Sequence, residues 1–287
     1  MKKYLKLMRV PHYMKNGLIF APLIFSGSLL NIDLLWKSIL GLIAFSLIAS
    51  VVYIINDIQD VELDRMHPTK CKRPLAANLI SLTHAKILAV CLVLVAVVIN
   101  TYAASNGLLA WASLILYLIL NIAYSNGLKN YPIIDIAILA SGFVIRVLYG
   151  SGITDIEISN WLYLTVISMS FYLGLGKRRN ELLKQKNVSR KVLKYYNHNF
   201  LDKNMYICLA LTITFYALWT VDPVTISRLS NGLLVWTVPI VILICMKYSL
   251  NIEGDSDGDP VEVIIKDKIL MAMVALFGLI TLGIIYI

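Results

Sequence analysis

The chain has 287 residues, 59% of them hydrophobic and only 15% charged, with a mean hydropathy of +0.74. A soluble domain is nearer a quarter charged, so this composition excludes an ordinary water-soluble globule and predicts an all-α polytopic membrane protein. The net charge of +9 needs no nucleic acid to explain it, because the cations collect in the loops on one side of the predicted spans.

A span needs about 20 mostly apolar residues. Nine are predicted, over about 17–35, 38–56, 84–104, 106–123, 133–150, 160–176, 205–221, 231–250 and 268–287. Asn31 and Asp33 interrupt the far end of the first, which reads as a retained anchor and not as a cleaved signal. Of the 26 Lys and Arg residues, all but Lys37, Arg146 and Arg228 lie before the first span, in loops that follow even-numbered spans, or at the span ends bordering those loops. The positive-inside rule then predicts a cell (inner) membrane protein with its N-terminus in the cytoplasm and its C-terminus on the opposite side. The whole chain, 1–287, reads as a single transmembrane domain with cytoplasmic loops at about 56–83, 124–132, 177–204 and 251–267. Cys71, Cys91, Cys208 and Cys245 have no zinc-ligand spacing and are expected as reduced packing residues.

In chain order, the first constellation that carries chemistry is Asn56-Asp57-Ile58-Gln59-Asp60-Val61-Glu62-Leu63-Asp64, directly after the apolar run Ile39–Ile55. On a continuing helix, at about 100° per residue, Asn56, Asp57, Asp60 and Asp64 share one face and Glu62 lies opposite. Crowded carboxylates repel unless a cation sits between them, and hard oxygen donors beside water and phosphate suit Mg²⁺. A solvated acidic helix end is the alternative. Lys70, Lys72 and Arg73 follow, in a loop stiffened by Pro68 and Pro74; metal plus adjacent cations is how proteins hold a polyphosphate.

Tyr124 and Lys129 stand at a membrane boundary, where they read equally as interfacial anchors. Span five carries Asp135 and Arg146, eleven positions apart and about 20° from register, with Gly142 on the same stripe. Ionisable groups inside a span face a cavity, or partners on neighbouring helices. After span six, Lys177, Arg178, Arg179 and Glu181 open a basic loop that would either anchor the span or cradle a phosphate. Asp255-Ser256-Asp257-Gly258-Asp259 lacks the ligand set and length of a calcium loop and reads as a solvated turn.

These motifs together resemble the UbiA superfamily of intramembrane prenyltransferases, whose signature N-D-x-x-D-x-x-x-D is matched by Asn56, Asp57, Asp60 and Asp64. The resemblance implies about nine helices around a central cavity, and a diphosphate held through Mg²⁺. Typical members carry a second Asp-rich motif after span six. This chain has GKRRNEL there, with Glu181 alone among three cations. That departure is similar to the branch of decaprenyl-phosphate (polyprenyl-phosphate) phosphoribosyltransferases. MRVPHYMKNGLIFAP, DRMHPTKCKRPLAAN, YSNGLKNYPIIDIAILASGFVIR, VLKYYNHNFLD and GDPVEV extend the similarity over most of the chain.

The resemblance implies a phosphoribosyl diphosphate donor, a polyprenyl phosphate acceptor entering from the lipid bilayer, and Mg²⁺ as cofactor. Asp57, Asp60, Asp64 and Asn56 would hold the metal. Lys70, Lys72, Arg73, Tyr124, Lys129 and Asp135 would contact the donor. Lys177, Arg178 and Arg179 would bind the acceptor phosphate or the ribose 5-phosphate, and Arg146 and Glu181 would line the cavity. No nucleic-acid partner is expected, and a homo-oligomer is compatible with the sequence. Two other readings stand beside this one. The first is a prenyltransferase acting on an aromatic acceptor. The second is a transporter using Asp135 and Arg146, although no repeat of spans is visible.

Overall fold

The computed structural model describes residues 2–67, 69–104, 107–184, 191–229, 231–254, 256 and 258–287. Within the predicted loops, Pro68, residues 185–190, Asp255 and Asp257 lie outside the described residues. Among the described residues the chain is all-helical, as expected, with no strand. The α-helices are α1 (Lys2–Met8), α2 (Ala21–Phe25), α3 (Ile32–Gln59), α4 (Val61–Met66), α5 (Leu82–Ala104), α6 (Leu108–Ser125) and α7 (Ile134–Thr154). They continue with α8 (Asn160–Lys184), α9 (His198–Val221), α10 (Pro223–Leu229), α11 (Val238–Glu253), α12 (Pro260–Lys266) and α13 (Lys268–Tyr286).

Among the described residues, seven helical segments are long and apolar enough to cross a membrane, so the predicted count of nine is not confirmed. Two predicted spans account for the difference. The stretch 17–35 is not one helix: Val10–Phe20 is a 3-10 segment, α2 is a single short turn, and Asn31 starts α3. The Asn31 side chain accepts the N–H groups of Asp33 (3.1 Å) and Leu34 (3.2 Å). It thereby satisfies donors that a helix N-terminus leaves open. The polar pair that interrupts the hydropathy is thus the start of the next helix. Predicted span six is the helix α8, 25 residues long, but it runs on through Lys177–Lys184 and is less apolar than the seven.

The chain clusters into two compact units. The first comprises Met1–Leu23, Asn31–Gly127 and Ile145–Asp155. Its core sets Phe45 of α3 against Tyr117 (ring centroids 4.7 Å apart) and Tyr149 (5.3 Å), with Ile48, Ala96 and Leu114 around them. A smaller cluster of Leu7, Ile54, Val61, Leu75 and Ile80 fastens α1 and the loop after α4 to α3. The second unit comprises Ile24–Leu30, Leu128–Val144 and Ile156–Ile287. Tyr172, Leu201, Met205, Ile252 and Leu270 fill one of its clusters, and Leu162, Tyr216, Trp219 and Leu234 the other. On α5, Ile87, Val90, Leu94, Val95 and Val98 are exposed. An apolar face of that extent is a liability in water but suits contact with lipid.

Close backbone approach inside the first unit depends on glycine. A Cβ at Gly150 would collide with the backbone carbonyl of Ile19, whereas one at Gly17 would meet open space. Gly150→Ala is therefore expected to destabilise the protein by about 1–3 kcal/mol, and Gly17→Ala to stay within about 0.5 kcal/mol of wild type. Thermal unfolding in detergent checks the pair, and equal midpoints for the two variants would refute the packing.

Candidate functional site

At 28 residues, α3 is about 42 Å long, more than the roughly 30 Å of a bilayer's hydrocarbon core. Its last turn carries Asn56 and Asp57. The helix breaks at Asp60 (φ −93°, ψ 7°), yet Asp60 N–H still bonds to Asn56 O (2.9 Å) and Asp64 N–H to Asp60 O (2.8 Å). The helical pitch thus carries across the break, and Asp57 and Asp64 are both buried. Arg73 Nη1 donates to Asp57 Oδ1 (3.1 Å) and to Asp64 Oδ2 (2.6 Å), while Arg9 Nη2 donates to Asp57 Oδ1 at 2.6 Å. Asn56 accepts the Ser125 hydroxyl, and Gln59 donates to Asn126 at 2.9 Å, which ties the end of α3 to the end of α6. Asp60 is half-buried at the break; Glu62 is exposed and pairs with Arg65 at 2.7 Å.

Among the described residues no three His, Cys, Asp or Glu side chains form a ready-made metal cluster. Within the four-residue face, Asp57 and Asp64 are joined through one guanidinium nitrogen, that of Arg73. The donor chemistry fits a hard divalent cation, because two carboxylates already converge on a single positive atom and each offers only oxygen.

Beside this pair is a cleft of about 710 Å³ lined by Lys6, Arg9, His12, Asp57, Arg73 and Pro74, among others. Arg73 is the one residue of the predicted Lys70–Lys72–Arg73 trio that lines it. Lys72 is exposed and its carbonyl accepts Lys6 Nζ at 3.0 Å. Lys70 is half-buried next to His67; burial and then the Lys70 charge push the His67 pKa below its ordinary value. Tyr124 sits half-buried at the end of α6, directly before Ser125. Lys129 belongs to the second unit, half-buried in the 3-10 turn Leu128–Asn130.

The expected Asp135–Arg146 stripe serves two separate networks. In the second unit, Asp135 accepts Arg178 Nε and the Tyr196 hydroxyl, each at 2.5 Å, and Arg178 Nη1 also donates to Glu181 at 2.6 Å. Arg178 is 0% exposed, so its guanidinium is engaged internally by two carboxylates. The Tyr196 oxygen also accepts the Ile133 N–H at 2.7 Å. Burial, and then the bond to Asp135, raise the Tyr196 phenol well above its usual pKa. Arg179 pairs with Asp202 at 2.6 Å, and Lys177 is half-buried with its Cα close against Gly258. In the first unit, buried Arg146 donates to Asn16 Oδ1 (2.7 Å) and Tyr117 Oη (3.4 Å), with its guanidinium 5.0 Å from the centre of the Phe45 ring.

Sequence reasoning assigned no site role to Arg9, Lys6, Tyr196 or Asn180. Arg9, just before Pro11, lay in the stretch MRVPHYMKNGLIFAP, singled out for similarity alone. Tyr196 lay in a stretch singled out for similarity alone. Asn180 is 1% exposed and neither atom of its side-chain amide is hydrogen-bonded, which nothing in its sequence neighbourhood signals.

A family model described as the UbiA prenyltransferase family matches residues 18–274. A decaprenyl-phosphate phosphoribosyltransferase from Mycolicibacterium smegmatis is 32% identical, covering 94% of this chain and 88% of its own. The protein of the same name from Mycobacterium tuberculosis (strain H37Rv) is 30% identical over 97% and 92%. Among solved structures, a UbiA homolog from Archaeoglobus fulgidus bound to GPP and Mg²⁺ superposes with a TM-score of 0.72 at 18% identity, covering 99% of this chain and all of that one. The apolar helices and the family match make this a multi-pass membrane protein. The chain belongs to the UbiA prenyltransferase family.

Proposed function

We propose that this protein transfers 5-phosphoribose from phosphoribosyl diphosphate to a polyprenyl phosphate of the decaprenyl type and releases pyrophosphate. The observation that carries the reading is the cleft lined by Asp57 of the carboxylate pair together with Lys6, Arg9 and Arg73. That combination suits a metal–diphosphate group. The names of the mycobacterial relatives support a phosphoribosyl donor over a prenyl one.

Asp57 and Asp64, with Asp60 and Asn56 alongside, are the residues to hold Mg²⁺. When bound, the metal neutralises charge on the departing pyrophosphate. Arg73, Arg9 and Lys6 neutralise donor phosphates, supplemented by Lys70, Lys72, Tyr124 and Lys129. Lys177 and Arg179 bind a phosphate, either that of the acceptor or the ribose 5-phosphate. Asp135, Arg178 and Glu181 organise the segment from which those two cations project, and Arg146 braces the first unit. The acceptor phosphate is already largely ionised near pH 7, so it attacks the anomeric carbon without a strong base. The new C–O bond forms as the bond to the diphosphate breaks, through an oxocarbenium-like state and with inversion. The N-terminus and the motif loops face the cytoplasm in this reading, where the soluble donor is found, and the acceptor enters from the bilayer.

Purified protein in detergent, given phosphoribosyl diphosphate, polyprenyl phosphate and Mg²⁺, is expected to release pyrophosphate and form a ribosylated lipid. EDTA is expected to abolish the release and added Mg²⁺ to restore it. Activity with a prenyl diphosphate and an aromatic acceptor, and none with phosphoribosyl diphosphate, would replace this reading with the prenyltransferase one. Turnover in detergent, where no gradient exists, separates either enzyme from a transporter.

A further inference from the structure

We infer that Arg9 is a phosphate-binding residue that exchanges partners on ligand entry, so that metal and diphosphate assist each other's binding in the cleft beside α3. The inference rests on the reading that this cleft takes a metal–diphosphate group.

Its basis is the way the charges are layered. The Asp57 and Asp64 side chains are 3% and 5% exposed, whereas Arg9 and Arg73, which contact them, are 24% and 28% exposed. The guanidiniums are therefore the more exposed partners, and both line the cleft together with Asp57 and Lys6. Each ligand arriving alone meets an opposing charge. A metal ion meets carboxylates already paired with guanidiniums. A diphosphate meets guanidiniums already neutralised by carboxylates that repel it. When both arrive, the carboxylates take the metal and the guanidiniums take the phosphate oxygens, so every charge stays paired.

Arg9 is built to change partners. Its backbone is in the left-handed region (φ 53°, ψ 46°), uncommon for a residue with a side chain, at the junction of α1 and the 3-10 segment that begins Val10-Pro11. Its guanidinium lies 4.6 Å from the centre of the Tyr53 ring. That platform holds a cation whichever anion it faces. Lys6 differs: it lines the same cleft and bonds to the Lys72 carbonyl, with no carboxylate among the partners shown for it.

Coupling of this kind is reciprocal and typically changes each affinity roughly 5- to 150-fold. The test is calorimetry on the whole protein in detergent, with Mg²⁺ alone and with inorganic pyrophosphate in EDTA as the two probes. Arg9→Gln uncovers Asp57, so Mg²⁺ alone is expected to bind several-fold more tightly and pyrophosphate several-fold more weakly. Arg9→Lys keeps the charge and is expected to move both affinities less. Lys6→Gln is expected to weaken pyrophosphate while leaving Mg²⁺ alone unchanged, and it needs no carboxylate to be uncovered. If Arg9 only fastens α1 to α3, Arg9→Gln will lower both affinities together or neither, and that outcome overturns the exchange. Neither probe contains ribose or lipid, so failure of the phosphoribosyl reading would appear only in the turnover assay and leave these affinities untouched.

Discussion

Asp57→Asn is expected to lower pyrophosphate release by at least about 100-fold, a loss typical of removing one preorganised charge-stabilising group. The side chain keeps its volume and one oxygen but loses the charge that a divalent cation needs. Stability should suffer little by comparison, because Arg9 and Arg73 are each about a quarter exposed and remain partly hydrated when their partner becomes neutral. The unfolding midpoint, measured on the same sample, therefore separates the site's chemistry from its fold. Glu62→Gln is the matched control, since Glu62 is exposed in α4, beyond the break, and pairs locally with Arg65. It is expected to change activity by less than twofold and stability by less than about 0.5 kcal/mol. Equal activity of Asp57→Asn and Glu62→Gln would remove Asp57 from the metal site.

The second large effect is on stability. Asp135→Asn takes one charge from an ion pair in which both side chains are 0% exposed, leaving Arg178 with one carboxylate fewer. Breaking a buried pair from one side costs about 3–5 kcal/mol, because the remaining charge has lost its partner without regaining water. A fall of the detergent unfolding midpoint on the order of 10 °C would follow. Arg178→Lys is not a conservative rescue. Arg178 uses Nε for Asp135 and Nη1 for Glu181, and one ammonium group does not reproduce that fork. Neutralising both members, Asp135→Leu with Arg178→Met, is expected to recover part of the loss, because the fully buried ion pair is gone while Glu181, 18% exposed, and the Tyr196 hydroxyl each lose one partner. Lost activity at an unchanged midpoint would instead return Asp135 and Arg178 to direct ligand binding.

These two predictions differ because the same sequence clue, an ionisable residue at a membrane edge, has two structural outcomes. Asp57 faces a cleft beside cations that stay partly exposed. Asp135 faces a fully buried guanidinium and a tyrosine hydroxyl. Spacing along one helix placed Asp135 and Arg146 on a common stripe, and on the helix they are. Their partners come from elsewhere in the chain: Arg178 and Tyr196 for Asp135, Asn16 and Tyr117 for Arg146. Periodicity reports which residues share a face and carries no information about what is packed against that face.

The same distinction separates the predictable helices from the misplaced one. The spans at 84–104 and 268–287 were legible because a long apolar run in an unbroken helix satisfies its backbone internally and needs no tertiary partner to exist. The stretch 17–35 is not legible as it folds, because the Asn31 cap divides it between the short α2 and the start of α3. Asn31 is polar enough to spoil the hydropathy of one span and is also the residue that starts the next.

By itself, then, the sequence determined the membrane-spanning all-helical class, the family signature at Asn56, Asp57, Asp60 and Asp64, and the concentration of cations around it, all of which follow from local composition and spacing. Tertiary structure alone decided that Arg73 joins Asp57 to Asp64, that Arg9 pairs with Asp57, and that Arg178 is buried. The last two turn on contacts between residues 48 and 43 positions apart, Arg9 with Asp57 and Asp135 with Arg178. The energy of a buried charge depends on which opposite charge reaches it, and only the folded chain determines that.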